Sequence, residues 1–192
     1  MNKSDIPGYV KEAFKGGQFE IITIPAGTGL YKLSQYPIVN EARGNSVSPW
    51  WSPVRPFRED KLGAVGRYKE AELNGISFEA MVRFASAVRV DWNGLDNYQE
   101  ISLTKEVEAV WGQFEPQPAY SPAEKGKRVE QMIKNIESKM KVQEKGHYVP
   151  EVLGGIEAYQ FWIPNLKKDD LRTSSTIPTK DNKGLAVALG LA

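Results

Sequence analysis

The sequence has no cysteine and a single histidine, His147. Without cysteine the chain forms no disulfide framework, zinc ribbon, iron–sulfur cluster or thiol nucleophile. One histidine is too few for a multi-histidine metal site, and a Ser-His-Asp triad would have to use His147. A lone histidine is more often a loop or structural residue than a general base. These absences exclude several large classes of enzyme.

The chain also lacks a charge imbalance and a long apolar run. Its 25 basic and 24 acidic side chains give a formal net charge of +1, so no general attraction to nucleic acid or anionic lipid is expected. The N-terminal "MNKSDIPGYV" has no apolar stretch of the secretory type. The apolar "GLAVALGLA" is far shorter than the roughly 20 residues that a bilayer requires. We therefore expect a soluble protein with no membrane partner, whose export would need a dedicated machine or a fused carrier.

The apolar periodicity predicts more strands than helices. Six segments have strand patterns: "GQFEIITI", "LYKLS", "AVRVDW", "YQEISL", "EVEAVWGQF" and "IEAYQFWIP". Helices are predicted weakly over "REDKLGAVGRYKEAELNG", over "FEAMVRFAS" behind the N-cap Ser77, and clearly over residues 122–144. Strands and helices are intermixed irregularly, which predicts an α+β fold with a split or curved antiparallel sheet and a few flanking helices. We expect residues 1–166 to form one domain and residues 167–192 a polar, loosely held tail.

Polar and aromatic side chains near the first strands are candidates for ligand binding. Lys32 lies just after the glycine-containing turn "PAGTG", where it either packs its stem along the strand or holds a phosphate. Trp50 and Trp51 face opposite ways if extended, so one can pack inward while the other lines a cleft and stacks on a flat ring. The hydroxyls of Ser48 and Ser52 flank this pair and are placed to bind a ribose.

Glu157 and Gln160 interrupt an apolar strand near the end of the chain. Polar residues are costly if buried without partners, so these two face either solvent or a site. A carboxylate at Glu157 would stabilise an oxocarbenium-like ribosyl cation, as in glycoside hydrolysis. Glu151, on the preceding loop, is a second candidate, and a half-exposed strand is the structural alternative.

The order of several short motifs resembles that of a known group of proteins. The segments "PAGTGLYKL", "SPWWS", "AVRVDWN", "EAVWGQF" and "GHYVPEVLGGIEAYQFWIP" follow one another as in C-terminal toxin domains of bacterial polymorphic and type VI secretion effectors. The resemblance covers Ile24 to Pro164. Such domains resemble the ADP-ribosyltransferase superfamily, whose split β-sheet clasps NAD.

This resemblance implies that NAD is the substrate and that no metal is needed. It implies that Lys32 contacts the NAD phosphates or ribose, that Ser48 or Ser52 fills the polar position of the second strand, and that Glu157 or Gln160, the two catalytic candidates, fills the late acidic or amide position. The predicted binding residues are Tyr31, Lys32, Ser48, Trp50, Trp51 and Ser52. Lys32 stands where the family has an arginine; it keeps the charge and loses the bidentate fork. The chain has no Ser-Thr-Ser run and no Glu-x-Glu pair, which favours NAD hydrolysis, or transfer to an unusual acceptor, over arginine modification.

The same resemblance implies the biological setting. The protein would be made in the bacterial cytoplasm and delivered without a signal peptide into the cytosol of a target cell, and a small immunity protein would plug its cleft in the producer. The alternative is a non-catalytic binding module, such as a phage or secretion-system accessory, with the same fold. A nuclease toxin is disfavoured because the chain has neither a basic surface nor a histidine pair.

Overall fold

The computed structural model describes residues 1–35, 46–89, 92–119, 152–154 and 157–192. The helix predicted over residues 122–144, together with His147 and Glu151, lies outside the described residues. Four α-helices occur in the described part: α1 Gly8–Lys11, α2 Gly63–Leu73, α3 Phe78–Ala85 and α4 Asn182–Ala188. The strands are β1 Glu20–Ile24, β2 Gly29–Ser34, β3 Trp50–Pro53, β4 Asn97–Leu103, β5 Val107–Gln113, β6 Gln117–Pro118, β7 Val152–Leu153, β8 Tyr159–Trp162 and β9 Leu171–Pro178.

Seven of these strands form one sheet in the order β1-β5-β8-β3-β2-β4-β9. Each neighbouring pair in this sheet is antiparallel, and β6 and β7 form a separate antiparallel pair. The mixed composition and the antiparallel sheet confirm the predicted α+β class.

The turn after β1 takes the chain across the sheet. Although β1 and β2 are joined by the short "PAGTG" segment, β5, β8 and β3 lie between them in the sheet. Gly27 has a φ of 83°, and its N–H donates to the carbonyl oxygen of Leu103 at 2.8 Å. Ile24 of β1 and Leu30 of β2 nevertheless belong to one apolar cluster. The sheet therefore curves around that cluster, which we call the inner core.

The two faces of the sheet follow the alternation read from the sequence. Leu30 of β2 packs in the inner core with Trp51, Ile101, Trp111 and Phe161. The neighbouring β2 residues Tyr31 and Leu33 point to the outer face, where helices α2, α3 and α4 cover them. Another part of the outer face is covered by the N-terminal segment, which packs through Ile6, Val10 and Phe14 on Val110 and Trp162. The side chains of β2 thus alternate between the two faces, as they do in any extended strand.

Strands β2 and β3 pair over only two positions, Leu30 with Pro53 and Tyr31 with Ser52. Beyond this point β2 continues to Ser34 while β3 begins at Trp50, so Lys32 and Trp51 lie past the paired region. The sheet opens here.

Helix α3 begins where the sequence predicts. The Ser77 hydroxyl accepts a hydrogen bond from the N–H of Ala80 at 3.1 Å, and Glu79 occupies the first turn. A side-chain oxygen at this position satisfies one of the free N–H groups at the helix start. The predicted N-cap is confirmed.

The predicted strand "AVRVDW" is wrong for its described residues. Val88, Arg89 and Trp92 lie outside strands, and Ala87 has a φ of 50°, which breaks an extended chain. The buried Arg83 guanidinium donates to the carbonyl oxygens of Val88 and Arg89 at 3.2 and 3.1 Å, so those groups bind a side chain in place of a neighbouring strand.

The last residues differ from the loosely held tail that the sequence suggested. Strand β9 pairs with β4 from Leu171 to Pro178, and α4 places Leu185 and Leu189 in the outer-face core. β9 is the edge strand of the sheet, so its polar composition reflects exposure and hides the strand pattern. Among the described residues, no helix is long and apolar enough to span a bilayer.

Candidate functional site

A cavity of about 580 Å³ lies on the outer face of the sheet, where β2 and β3 separate. The N-terminal segment forms one wall through Tyr9, Glu12 and Ala13. Helix α3 and the loop that follows it form the opposite wall, from Val82 to Leu95. Its volume falls in the range of roughly 300–1,000 Å³ that is usual for small-molecule sites. We call this space the main cavity.

The main cavity gathers most of the residues that the sequence analysis selected. Seven of them line it: Tyr31, Lys32, Ser48, Trp50, Trp51, Ser52 and Gln160. They come from the ends of β2, β3 and β8 and from the residues before β3. Because β2 and β3 separate here, residues from both faces of these strands reach the same cavity.

Glu157 lies elsewhere. Its exposed side chain lines a second cavity of about 820 Å³, together with Glu59, Glu70 of α2 and the apolar Met81 and Phe84 of α3. The structure therefore separates the two catalytic candidates, because Gln160 faces the main cavity.

The two adjacent tryptophans have different environments. Trp51 is 2% exposed and packs in the inner core, and its Nε1–H donates to the carbonyl oxygen of Ser48 at 2.7 Å. Trp50 is half-buried, with its ring centroid 6.0 Å from that of Phe14. Its backbone N–H donates to the Ser48 hydroxyl at 3.4 Å. Ser48 therefore fixes both tryptophans at the edge of the cavity.

Lys32 brings a positive charge to the β2 side of the cavity. Its Nζ lies 5.4 Å from the centroid of the Trp51 ring, a distance at which the ring face attracts a cation. The side chain is half-buried. This contact helps to orient the ammonium group.

Ser52 and Gln160 already make hydrogen bonds within the protein. The Ser52 hydroxyl donates to the carbonyl oxygen of Tyr159 at 3.2 Å. The Gln160 Nε2 donates to the carbonyl oxygen of Ala13 at 2.9 Å, although the side chain is only 6% exposed. Its Oε1 accepts no hydrogen bond from the described residues. This oxygen is the group that Gln160 can offer to a ligand.

The hydroxyl of Tyr31 contacts a buried ion pair that the sequence analysis missed. The Arg67 guanidinium lies 2.6 Å from the Asp60 carboxylate, and both side chains are fully buried. The other Arg67 terminal nitrogen donates to the Tyr31 hydroxyl at 3.3 Å. Burial raises the pKa of Tyr31, so its hydroxyl stays protonated at neutral pH. Tyr31 is only 1% exposed, so its contact with Arg67 fixes the ring in the floor of the cavity.

Asp60 accepts from further donors on two elements, α2 and β8. Its carboxylate accepts from the N–H groups of Leu62 and Gly63 at the start of α2, and from the N–H of Tyr159 on β8. Nothing in the segment "REDKLGAVGRY" distinguishes Asp60 from an ordinary surface aspartate. Only the tertiary structure seals it from water.

Two carboxylates and several aromatic rings complete the cavity, and the sequence analysis did not select them. Glu12 and Glu115 line it on the side of the N-terminal segment. The exposed rings of Tyr9 and Trp92, 63% and 57% accessible, stand at its edge. Trp92 was assigned to a strand because its neighbours alternate in polarity, and that pattern concealed its exposure.

The loop that carries Trp92 is anchored by Arg83. Besides the carbonyl oxygens of Val88 and Arg89, the guanidinium donates to the carbonyl oxygen of Asn93 at 2.9 Å. Its carboxylate partner, Glu79, lies 3.4 Å away, and both side chains are buried. This anchor fixes the α3 side of the cavity.

Comparisons with protein-family models, with curated proteins and with solved structures found no match to this chain. Within the described ranges, no three histidine, cysteine, aspartate or glutamate residues gather as a metal site would require. The chemistry of the cavity is therefore argued from its own residues.

Proposed function

We propose that this chain is an NAD-consuming domain that cleaves the nicotinamide glycosidic bond, by hydrolysis or by ADP-ribosyl transfer. The observation that carries the proposal is the convergence of seven selected residues in one cavity at the opening of the sheet. Those residues come from three separate stretches of the sequence, 31–32, 48–52 and 160, and were selected for different parts of NAD. An ADP-ribosyltransferase-like fold, with the ligand between diverging strands, is the finer architecture that we propose.

The diphosphate and one ring of NAD have candidate partners in the cavity. The Lys32 ammonium is placed for the diphosphate, and its aromatic neighbour keeps it in position. The half-buried Trp50 offers a flat surface for stacking a ring.

The reaction is a dissociative substitution at the anomeric carbon of the nicotinamide ribose. The bond between that carbon and the pyridinium nitrogen breaks, and its electron pair goes to the nitrogen, which leaves as neutral nicotinamide. Water then adds to the ribosyl cation and releases one proton, giving ADP-ribose. In the transfer reaction an acceptor side chain replaces water. Preorganised groups around the developing cation supply most of the acceleration in such sites.

The proposed biological role is that of a bacterial toxin or effector domain. It would be made in the bacterial cytoplasm and carried by a secretion system into a target cell. An enzyme that consumes NAD endangers its producer, so we propose an immunity protein as a partner that occupies the main cavity.

The direct test is nicotinamide release from NAD by the purified protein, compared with the variants Lys32→Ala and Trp50→Ala. We expect release by the native protein and at least a tenfold loss in both variants, a change of about 1.4 kcal/mol or more in activation free energy. Lys61→Ala is the matched control, because Lys61 lines the second cavity. The absence of release by the native protein would refute the cleavage proposal.

Glu157→Gln belongs in the same experiment. The position of Glu157 on the second cavity leads us to expect that this variant keeps most of the release. A complete loss would instead support the catalytic role that the sequence resemblance implies.

The second candidate function is a non-catalytic binding module with the same cavity. It is favoured by two observations: Glu157 lies outside the main cavity, and the Gln160 amide already binds Ala13. Calorimetric NAD binding without nicotinamide release would support this candidate.

A further inference from the structure

The main cavity has opposite charges at its two sides. Lys32 projects from β2, whereas Glu12 follows α1 and Glu115 lies two residues after the end of β5. Strands β8 and β3 separate β5 from β2 in the sheet. Three strand spacings of roughly 4.8 Å give about 14 Å between the two sides. The cavity thus crosses the sheet from a basic side to an acidic side.

The acidic side is rigidly built. The Glu115 carboxylate accepts from the N–H of Gly16 at 2.7 Å, and the Glu115 N–H donates to the carbonyl oxygen of Ala13 at 3.0 Å. Both contacts join the end of β5 to the N-terminal segment. Glu115 therefore stays in position without a ligand, which lowers the entropic cost of binding one.

The groups beside Glu115 also suit a cation with a planar ring. Gln160, a buried residue, offers its Oε1 as an acceptor. The cavity wall there includes the rings of Tyr9, Trp50 and Phe114. Aromatic faces and carboxylates together attract organic cations. The acidic side of the main cavity thus differs in chemistry from the basic side at Lys32.

We propose that the acidic side binds the positively charged pyridinium ring of NAD, so that the cavity takes the dinucleotide in one direction and discriminates against its reduced, uncharged nicotinamide. This inference rests on the proposed function for the identity of the ligand. The diphosphate lies towards Lys32, and the pyridinium lies towards Glu12 and Glu115. The nicotinamide ribose then sits over β3 and β8, near Ser52 and Gln160.

The test measures binding of separate probes by calorimetry, so that it does not depend on turnover. The probes are 1-methylnicotinamide, which is a pyridinium cation, neutral nicotinamide, and ADP. We expect 1-methylnicotinamide to bind about tenfold more tightly than nicotinamide, a difference near 1.4 kcal/mol. Glu115→Gln should reduce this difference at least threefold, because glutamine keeps an acceptor for Gly16 and loses the charge, while Glu12 remains.

The controls separate a charge effect from a loss of structure. Glu70→Gln removes a half-buried carboxylate from the second cavity and should leave binding of 1-methylnicotinamide unchanged. ADP binding should fall in Lys32→Ala and stay constant in Glu115→Gln. Equal affinities for 1-methylnicotinamide and nicotinamide, no binding of either, or an unchanged difference in Glu115→Gln would overturn the inference.

Comparison of the oxidised and reduced dinucleotides separates this inference from the proposed function. Preferential binding of NAD over its reduced form, without nicotinamide release, would support the charge-selective cavity and refute cleavage. Nicotinamide release by a protein that binds both forms equally would support cleavage and refute the charge-selective cavity.

Discussion

Replacing Arg67 by methionine should destabilise the protein strongly, because Arg67 belongs to a sealed ion pair. The two charged groups lie 2.6 Å apart, and neither side chain is exposed. Methionine removes the positive charge and leaves Asp60 as a buried carboxylate. It also removes the donor to the Tyr31 hydroxyl.

The magnitude follows from that burial. Breaking a buried pair by removing one partner typically costs about 3–5 kcal/mol of unfolding free energy. In a chain of this size each kcal/mol lowers Tm by about 2–4 °C, so we expect a decrease of about 6–20 °C. Arg58→Met is the matched control, since Arg58 pairs with Glu20 at 2.8 Å with side-chain exposures of 37% and 63%. An exposed pair is worth about 0–1 kcal/mol.

Urea unfolding followed by tryptophan fluorescence measures the difference. The double variant Asp60→Leu/Arg67→Met sharpens the test, because it removes both charges together. Buried pairs replaced in this way are often neutral, but Asp60 also accepts from three backbone N–H groups. Each of these N–H groups loses its partner, which costs about 1–3 kcal/mol of unfolding free energy. The double variant should therefore stay at least about 3 kcal/mol less stable than the native chain. A cost below about 1 kcal/mol for Arg67→Met, equal to that of Arg58→Met, would refute the reasoning.

Two further perturbations follow from single contacts. Ser77→Ala should lower the unfolding free energy by about 1 kcal/mol and Ser77→Gly by only a few tenths, because the hydroxyl caps α3; equal costs in denaturant unfolding would contradict the cap. The Asp170 carboxylate lies 2.7 Å from the Lys105 ammonium, and this hydrogen bond lowers the pKa of Asp170 in the folded protein. The resulting stability is present above the unfolded pKa, near 3.9, and is lost as the pH falls through the lower folded value. Asp170→Asn should therefore lose less stability than the native chain between about pH 6 and pH 3, and parallel unfolding curves would contradict this.

Local sequence pattern predicted the strands whose apolar side chains alternate. The segment "EVEAVWGQF" was predicted as a strand, and its alternate residues Val107, Ala109 and Trp111 all pack in or against the inner core. Such segments carry their own signal, because a residue's face depends only on its position along the strand. β9 carries no such signal, since an edge strand can expose polar residues on both sides.

The candidate site likewise contains residues that the sequence pattern predicts and residues that it does not. Lys32, Trp50 and Trp51 were selected because residues of these types stand out within a short motif, and they do meet in one cavity. Glu12 and Glu115 are of a residue type that is common on protein surfaces, so the sequence does not distinguish them. Only the packing of the N-terminal segment on β5 brings them together, and this contact leaves no periodic pattern in the sequence.

The position of β8 in the sheet has a consequence for how the protein folds. β8 lies between β5 and β3, yet Ser52 on β3 and Tyr159 on β8 are 107 positions apart. While a ribosome is still producing the segment before Tyr159, β3 and β5 are both open sheet edges. Unpaired edges are sites where chains aggregate, and distant pairings slow folding. The nascent chain therefore stays vulnerable until its late central strand arrives, and holding it unfolded until release from the ribosome would protect it.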